Sequence, residues 1–211
     1  MSAAMKLISS HRAPNPRRVL MFIAEKAITG ITVENILLNE HQQHGQEHQS
    51  KSPFGKVPVL QLGDGRWLSE TRAICTYLEG QFPEPNLMGI DATERAFIEM
   101  ADRQCEHYLM APLAQWIRHA HPGLAVLEGT QFADFAKAQS ELALKNAQLF
   151  EQRLAMQPWM AGERFTIADI TAFCGVEFAR GLMKFNLAQA GLTHFAAWRE
   201  RMAARPSAGV V

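Results

Sequence analysis

Three groups of residues between 51 and 77 have the chemistry to hold a small peptide-like ligand. Lys56-Val57-Pro58 opens an apolar run. Pro58 has no N–H and so belongs at a strand start or edge; a cis bond there would turn the N–H and C=O of Val57 outward, free to pair with another backbone. Residues 59–62 and 66–68 flank Gly63-Asp64-Gly65 and read as a hairpin. Ser69-Glu70-Thr71 then stands directly before the helical spacing Ala73, Ile74, Tyr77, Leu78. Free N–H groups and the positive end of the helix dipole favour an anion there. The Thr71 hydroxyl adds a donor, and the Glu70 carboxylate suits an ammonium. Taken singly, these are a strand start and a helix cap. In this order they offer a backbone strand, an anion cradle and a carboxylate, which suits a zwitterionic peptide.

The flanking segments must place these groups. Residues 5–9 form a short apolar strand, and residues 10–16 a polar loop broken by Pro14 and Pro16. A helix over 17–26 carries Val19, Leu20, Phe22 and Ile23 on one face and is stopped by Gly30. Residues 32–38 read as a second strand, so the start is β-α-β with a parallel pair and a right-handed crossover. Residues 39–51 are polar and include His41, His44 and His48. The hairpin and a helix over 72–82 complete β-α-β-α-β-β-α, a thioredoxin-like order. Pro83 and Pro85 end that helix and open a linker over 83–90. From residue 91 no strand is expected. One long helix runs over 93–119 with a kink at Pro112, and a second over 131–156. A third opens at Thr166, the N-cap of a box closed by Asp169, with Phe165 stapling to Ile170; Asp169 is therefore structural. Short helices over 183–190 and 195–204 finish the chain. The expected fold is α/β plus all-α: a thioredoxin-like domain over 1–82 and an all-helical bundle over 91–211.

The 211 residues, 47% hydrophobic and 20% charged, suffice for a sizeable core. Lys plus Arg and Asp plus Glu number 21 each, so no basic field draws the chain to nucleic acid or an acidic membrane. The apolar runs are too short to span a bilayer, and no signal-peptide core opens the chain. Three cysteines without a C-x-x-C spacing fit a reducing compartment. These features point to a soluble, cytoplasmic protein.

Val57-Pro58 and Glu70-Thr71, in this order and setting, resemble the glutathione-binding signature of the cytosolic glutathione S-transferase family, in particular its bacterial theta- and nu-like members. The resemblance covers nearly the whole chain, through specific motifs in the first half and the helical pattern and capping box in the second. It implies a cis Pro58, with Val57 pairing to the cysteinyl backbone of glutathione. It also implies that Glu70 and Thr71 hold the γ-glutamyl end, Thr71 standing for the usual Ser. Counting back from Gly55, the same likeness brings Gln43 and His44, with Lys56, to the glycine carboxylate. Enzymes of this family lower the pKa of the glutathione thiol by hydrogen-bonding the thiolate. The bonding residue lies in the loop after the first strand, where many bacterial relatives read Ser-Pro-Asn. Here that place reads Ala13-Pro14-Asn15, so the usual serine is absent. Three groups can compensate: the Asn15 amide, the Ser10 hydroxyl, and the free N–H groups of the following helix. In one bacterial subclass a similarly placed Asn binds the sulfur, and that subclass favours disulfide reduction.

The resemblance further implies a homodimer, with Asp102 or Arg103 reaching the neighbouring subunit's glutathione. A second-substrate pocket would draw on Arg103, His107 and Met110, with Tyr108 and Trp116 beside them. Cys75, Cys105 and Cys174 sit in apolar helical patterns and read as buried, inert thiols. His44 and His48 are four apart but lack a third ligand, so no metal is expected. The cosubstrate is glutathione and the reaction attack on an electrophile or a glutathione-containing disulfide. The rival is a catalytically weak glutathione-binding, ligand-binding or regulatory module of the same fold, favoured by Ala13; the intact Val57-Pro58 and Glu70-Thr71 favour the enzyme.

Overall fold

A computed structural model describes residues 5–210. The chain forms two compact units, one running through Pro85 and taking in Val210, the other spanning Asn86–Gly209.

The first unit is built on a four-stranded sheet. Strand β1 (Met5–Ser9) pairs in parallel with β2 (Ile31–Asn35) and antiparallel with β3 (Val59–Gln61), which pairs antiparallel with β4 (Trp67–Ser69), giving the order β2-β1-β3-β4. Helices α1 (Pro14–Glu25) and α3 (Thr71–Gln81) cover it. Leu7, Ile8, Val59 and Leu60 are buried with Val19, Met21 and Phe22 of α1 and Ile74, Cys75 and Leu78 of α3. Central strands read as apolar runs because both faces are covered, whereas β2 lies at the edge and is mostly exposed. That strand ends at Asn35, before the expected 38. Two 3-10 turns and the short helix α2 (Gln46–Gln49) lead on to β3. In the hairpin, Leu62 and Arg66 close the turn, the Asp64 carboxylate accepts the Arg66 N–H at 3.0 Å, and Gly65 takes φ +87°, which an L side chain rarely adopts. Buried Lys26, just past α1, bonds Glu79 of α3 at 2.7 Å and the Pro85 carbonyl at 2.6 Å.

The described part of the second unit is helical: α4 (Ala92–Gln104), α5 (Ala111–Ala120), short α6 (Ala125–Glu128), α7 (Ala133–Met156), α8 (Ile167–Met183) and α9 (Thr193–Ala203). A π-helical stretch, Cys105–Met110, joins α4 to α5. The kink expected at Pro112 is thus taken up by the preceding turn. Pro112 cannot donate to the Tyr108 carbonyl, and that oxygen accepts the Asn146 amide of α7 at 2.7 Å. Helix α8 is buried throughout its first ten residues. Its capping box forms as expected, with both reciprocal Thr166 and Asp169 bonds present. The Asp169 carboxylate also accepts the Met160 N–H at 2.9 Å and the Trp198 indole N–H at 2.8 Å, so one buried group joins three segments. Phe165 stacks edge-on against Trp159, their ring centroids 5.7 Å apart. The helix expected over 183–190 does not form: Lys184 caps α8 in a left-handed conformation, and turns follow.

Candidate functional site

Register brings the predicted residues of the first unit to one end of the sheet. Ile8 stands opposite Val59, and Val59 opposite Ser69. The C-terminal ends of β1 and β4 and the N-terminal end of β3 therefore coincide, and β2, parallel to β1, ends there too. Ser10 and the loop to α1, the segment 36–56, Val57-Pro58 and Glu70-Thr71 all leave or enter the sheet at that end. In α/β sheets this is the end at which ligands bind.

The Val57–Pro58 peptide bond is cis. Among the described residues no turn or loop backbone hydrogen bond takes up the N–H or C=O of Val57. Glu70, exposed, takes φ +71°, an uncommon conformation for a side-chain-bearing residue, and serves as the N-cap of α3. Thr71, buried, is the first residue of that helix.

Segment 42–56 folds against the start of β3. Gly55 takes φ +60°, and a Cβ there would lie 2.9 Å from His44 Nδ1 and 3.0 Å from the Gln43 carbonyl. Gln43, His44 and Lys56 are thus neighbours through Gly55. Gln43 is 6% exposed, and its side-chain oxygen is buried without a hydrogen-bond partner. His44 and His48 do not share a helix: extended Gly45 separates the 3-10 turn holding His44 from α2, and His48 is buried while His44 is exposed.

The loop after β1 departs from expectation. Helix α1 begins at Pro14, not near residue 17, so Asn15 lies inside its first turn and Ala13 is the N-cap. Pro14 is well suited to that first position, since φ is preset and its missing N–H would be unsatisfied in any case. The Ala13 N–H is used on the Ser10 carbonyl at 3.2 Å, and Pro14 and Pro16 have none. The expected cradle of helix N–H groups thus shrinks to one, that of Asn15. The Asn15 side chain is exposed and oriented: Arg18, 2% exposed, donates to its Oδ1 at 3.2 Å, which turns the amide NH₂ away from the arginine. Arg18 looks like an ordinary helix-surface cation in the sequence, and no local signal marks it.

Residues 13–81 match the family model described as Glutathione S-transferase, N-terminal domain, and residues 109–206 that described as Glutathione S-transferase, C-terminal domain. The chain belongs to the glutathione S-transferase family. It is 31% identical over 209 residues to Glutathione S-transferase 2 of Saccharomyces cerevisiae, covering 98% of this chain and 89% of that protein. Among solved structures, it resembles a glutathione S-transferase domain-containing protein from Marinobacter aquaeolei VT8 with TM-score 0.87 and 36% identity, over 96% of this chain and 98% of that one. It likewise resembles Gtt2 from Saccharomyces cerevisiae, with TM-score 0.89 and 31% identity over 96% and 97% of the two chains. The chain is therefore a glutathione transferase, with glutathione as cosubstrate.

In the helical unit, the candidates for a transferase second-substrate pocket lie at the end of α4 and on the π-helical stretch that follows it. Arg103 is engaged with Glu99 at 3.3 Å, Asp102 at 2.9 Å and Glu106 at 2.5 Å. Met110 is buried in the core against Gly175, where an added Cβ would lie 3.1 Å from its own. His107 is exposed. Asp102, expected to reach outward, is 0% exposed and accepts the Thr171 hydroxyl at 2.5 Å. None of the three cysteines forms a disulfide, and all are buried. Among the described residues no helix is long and apolar enough to cross a membrane, and no three His, Cys, Asp or Glu side chains gather as a metal site would require.

Proposed function

We propose that the transferase binds glutathione at the strand-end cluster and ionises its thiol with Asn15. The carrying observation is the unengaged Val57 backbone, at the same sheet end as Glu70, Thr71 and Asn15. Glutathione lays its cysteinyl backbone antiparallel to Val57. The Glu70 carboxylate takes the γ-glutamyl ammonium, and the Thr71 hydroxyl with the α3 N-terminus takes its carboxylate. Gln43, His44 and Lys56 face the glycine carboxylate. The sulfur then meets the two donors Asn15 offers, its side-chain NH₂ and its backbone N–H. Stabilising the thiolate in this way lowers the thiol pKa. Ser10 is the alternative ligand, being 7% exposed at the end of β1.

With an amide in place of a serine hydroxyl, the reaction is proposed to favour glutathione-containing disulfides over chloro-aromatic electrophiles. Turnover with a hydroxyethyl disulfide and with a chloro-dinitro-aromatic substrate decides this; faster conjugation than reduction would reject it.

The enzyme is proposed to work as a cytoplasmic homodimer. Three thiols kept out of disulfides suit a reducing compartment. Phe54 is 78% exposed in the first unit. In the second, exposed Phe97, Met100 and Tyr108 lie on α4 and the π stretch. Gln104 of α4 bonds Arg153 of α7, the helix that carries exposed Leu149 and Met156. Apolar surface on neighbouring helices marks an interaction face.

A further inference from the structure

Two buried polar side chains grip the residue that precedes Val57. Ser52 is 2% exposed and His48 is 5% exposed. The Lys56 N–H donates to the Ser52 hydroxyl oxygen at 3.2 Å, and the Lys56 carbonyl lies 3.0 Å from His48 Nε2. A carbonyl only accepts, so Nε2 carries the hydrogen. The other ring nitrogen, Nδ1, is buried without a hydrogen-bond partner. The bond to Lys56 is thus the one polar contact of this buried ring among the described residues. A buried imidazole kept for a single bond has something to hold. The grip is itself braced, for the Ser52 N–H donates to the His48 carbonyl at 2.9 Å and the Gly55 N–H to the Ser52 carbonyl at 2.8 Å.

The Lys56 C=O and the Val57 N–H belong to one planar peptide unit, and this bond is trans, the cis bonds lying at Val57–Pro58 and Glu84–Pro85. In a trans unit the two groups point in opposite directions. Drawing the Lys56 oxygen inward to His48 therefore aims the Val57 N–H outward. We infer that His48, supported by Ser52, is a positioning residue that presets the Val57 amide for backbone pairing with glutathione. The inference rests on the proposed antiparallel pairing at Val57. Pre-orienting a donor lowers the ordering cost of binding, so the effect belongs to glutathione rather than to the second substrate.

The test compares wild type with His48→Phe, which keeps a ring but no donor, His48→Gln, whose amide reaches about as far as Nε2, and Ser52→Ala. Glutathione affinity is measured by calorimetry, Michaelis constants for both substrates by steady-state kinetics, and the Val57 amide by TROSY NMR. His48→Phe is expected to raise the Kd and the KM for glutathione about tenfold, the loss of roughly one neutral hydrogen bond, while the KM for the second substrate stays put. His48→Gln should restore binding to within about twofold and Ser52→Ala should weaken it several-fold. A folded His48→Phe that binds glutathione like wild type overturns the inference. So does a His48→Gln as weak as the phenylalanine variant, since ring shape would then be the cause. If His48→Phe does not fold, His48→Gln and Ser52→Ala decide alone: wild-type affinity in Ser52→Ala, or a tenfold loss in His48→Gln, overturns it. A wild-type Val57 amide that does not respond to glutathione removes the pairing itself, and the inference with it, a result distinct from equal affinities among variants.

Discussion

Arg18 Nη1 donates to Asn15 Oδ1 across 3.2 Å, one helical turn apart, from a side chain that is 2% exposed. The bond decides which end of the Asn15 amide faces out. With the oxygen held by the cation, the NH₂ is the end left to meet a sulfur. Asn15→Ala is therefore expected to raise the pKa of the bound glutathione thiol by about one unit or more and to slow turnover, with little change in affinity. Arg18→Met should move the pKa in the same direction by less, because the amide is then free to turn. Ultraviolet titration of the bound thiolate measures both. An unchanged titration in Asn15→Ala together with an upward shift in Ser10→Ala would transfer the role to Ser10.

Glu70 and Thr71 sit side by side but should differ in weight. Truncating Glu70 leaves an ammonium without its counter-charge, whereas truncating Thr71 removes a neutral donor. Hydrogen bonds to charge contribute about 1.5–3 kcal/mol against about 1 kcal/mol for neutral ones. Glu70→Ala is thus expected to weaken glutathione binding by roughly tenfold or more, and Thr71→Ala by several-fold. Calorimetric titration of the two variants ranks them, and equal losses reject the ordering.

Burial pushes the Asp169 carboxyl up to about 6, against the pull of the Met160, Trp198 and Thr166 donors, which favour its charged form. Its ordinary value is 3.8. Between these values the folded protein holds a proton that the unfolded chain has released. The contribution of this group is then most favourable at low pH and is lost as pH rises through about 6. The stability difference between wild type and Asp169→Asn, which does not titrate, should therefore shrink by about 1.4 kcal/mol between about pH 5 and about pH 7.5. Urea denaturation at several pH values reads this out, and a difference that widens with pH contradicts it.

A homodimer predicts a light-scattering mass of twice the chain at micromolar concentration. Phe54→Glu, which places a charge on the most exposed large apolar side chain among the described residues of the first unit, is expected to shift the equilibrium toward monomer while leaving the circular dichroism spectrum intact. A wild type that runs as a monomer, or a fully dimeric Phe54→Glu, would speak against the role given to that surface.

What the sequence determined by itself was local in origin. The hairpin over 59–69 follows from Gly63-Asp64-Gly65, because the Asp64 side chain and the backbone freedom of Gly65 act within the turn. The capping box follows from Thr166 and Asp169, three residues apart. The convergence of Val57, Glu70 and Thr71 at one sheet end follows from short connections between paired strands, so motif order alone brings these candidates together. Tertiary structure decided whatever depends on distant or competing partners. Residues 183–190 have helical composition, yet a left-handed Lys184 ends α8 there. Pro112 announced a kink, but only the fold brings Asn146, 38 residues away, to the Tyr108 carbonyl that the proline cannot serve. The family resemblance implied an outward reach for Asp102 or Arg103, and packing against Thr171 of α8 buried Asp102. Arg18 and His48 carry no local mark of function. Folding removed both from water and left the His48 ring one polar partner among the described residues, so burial and distant packing, not local spacing, single them out.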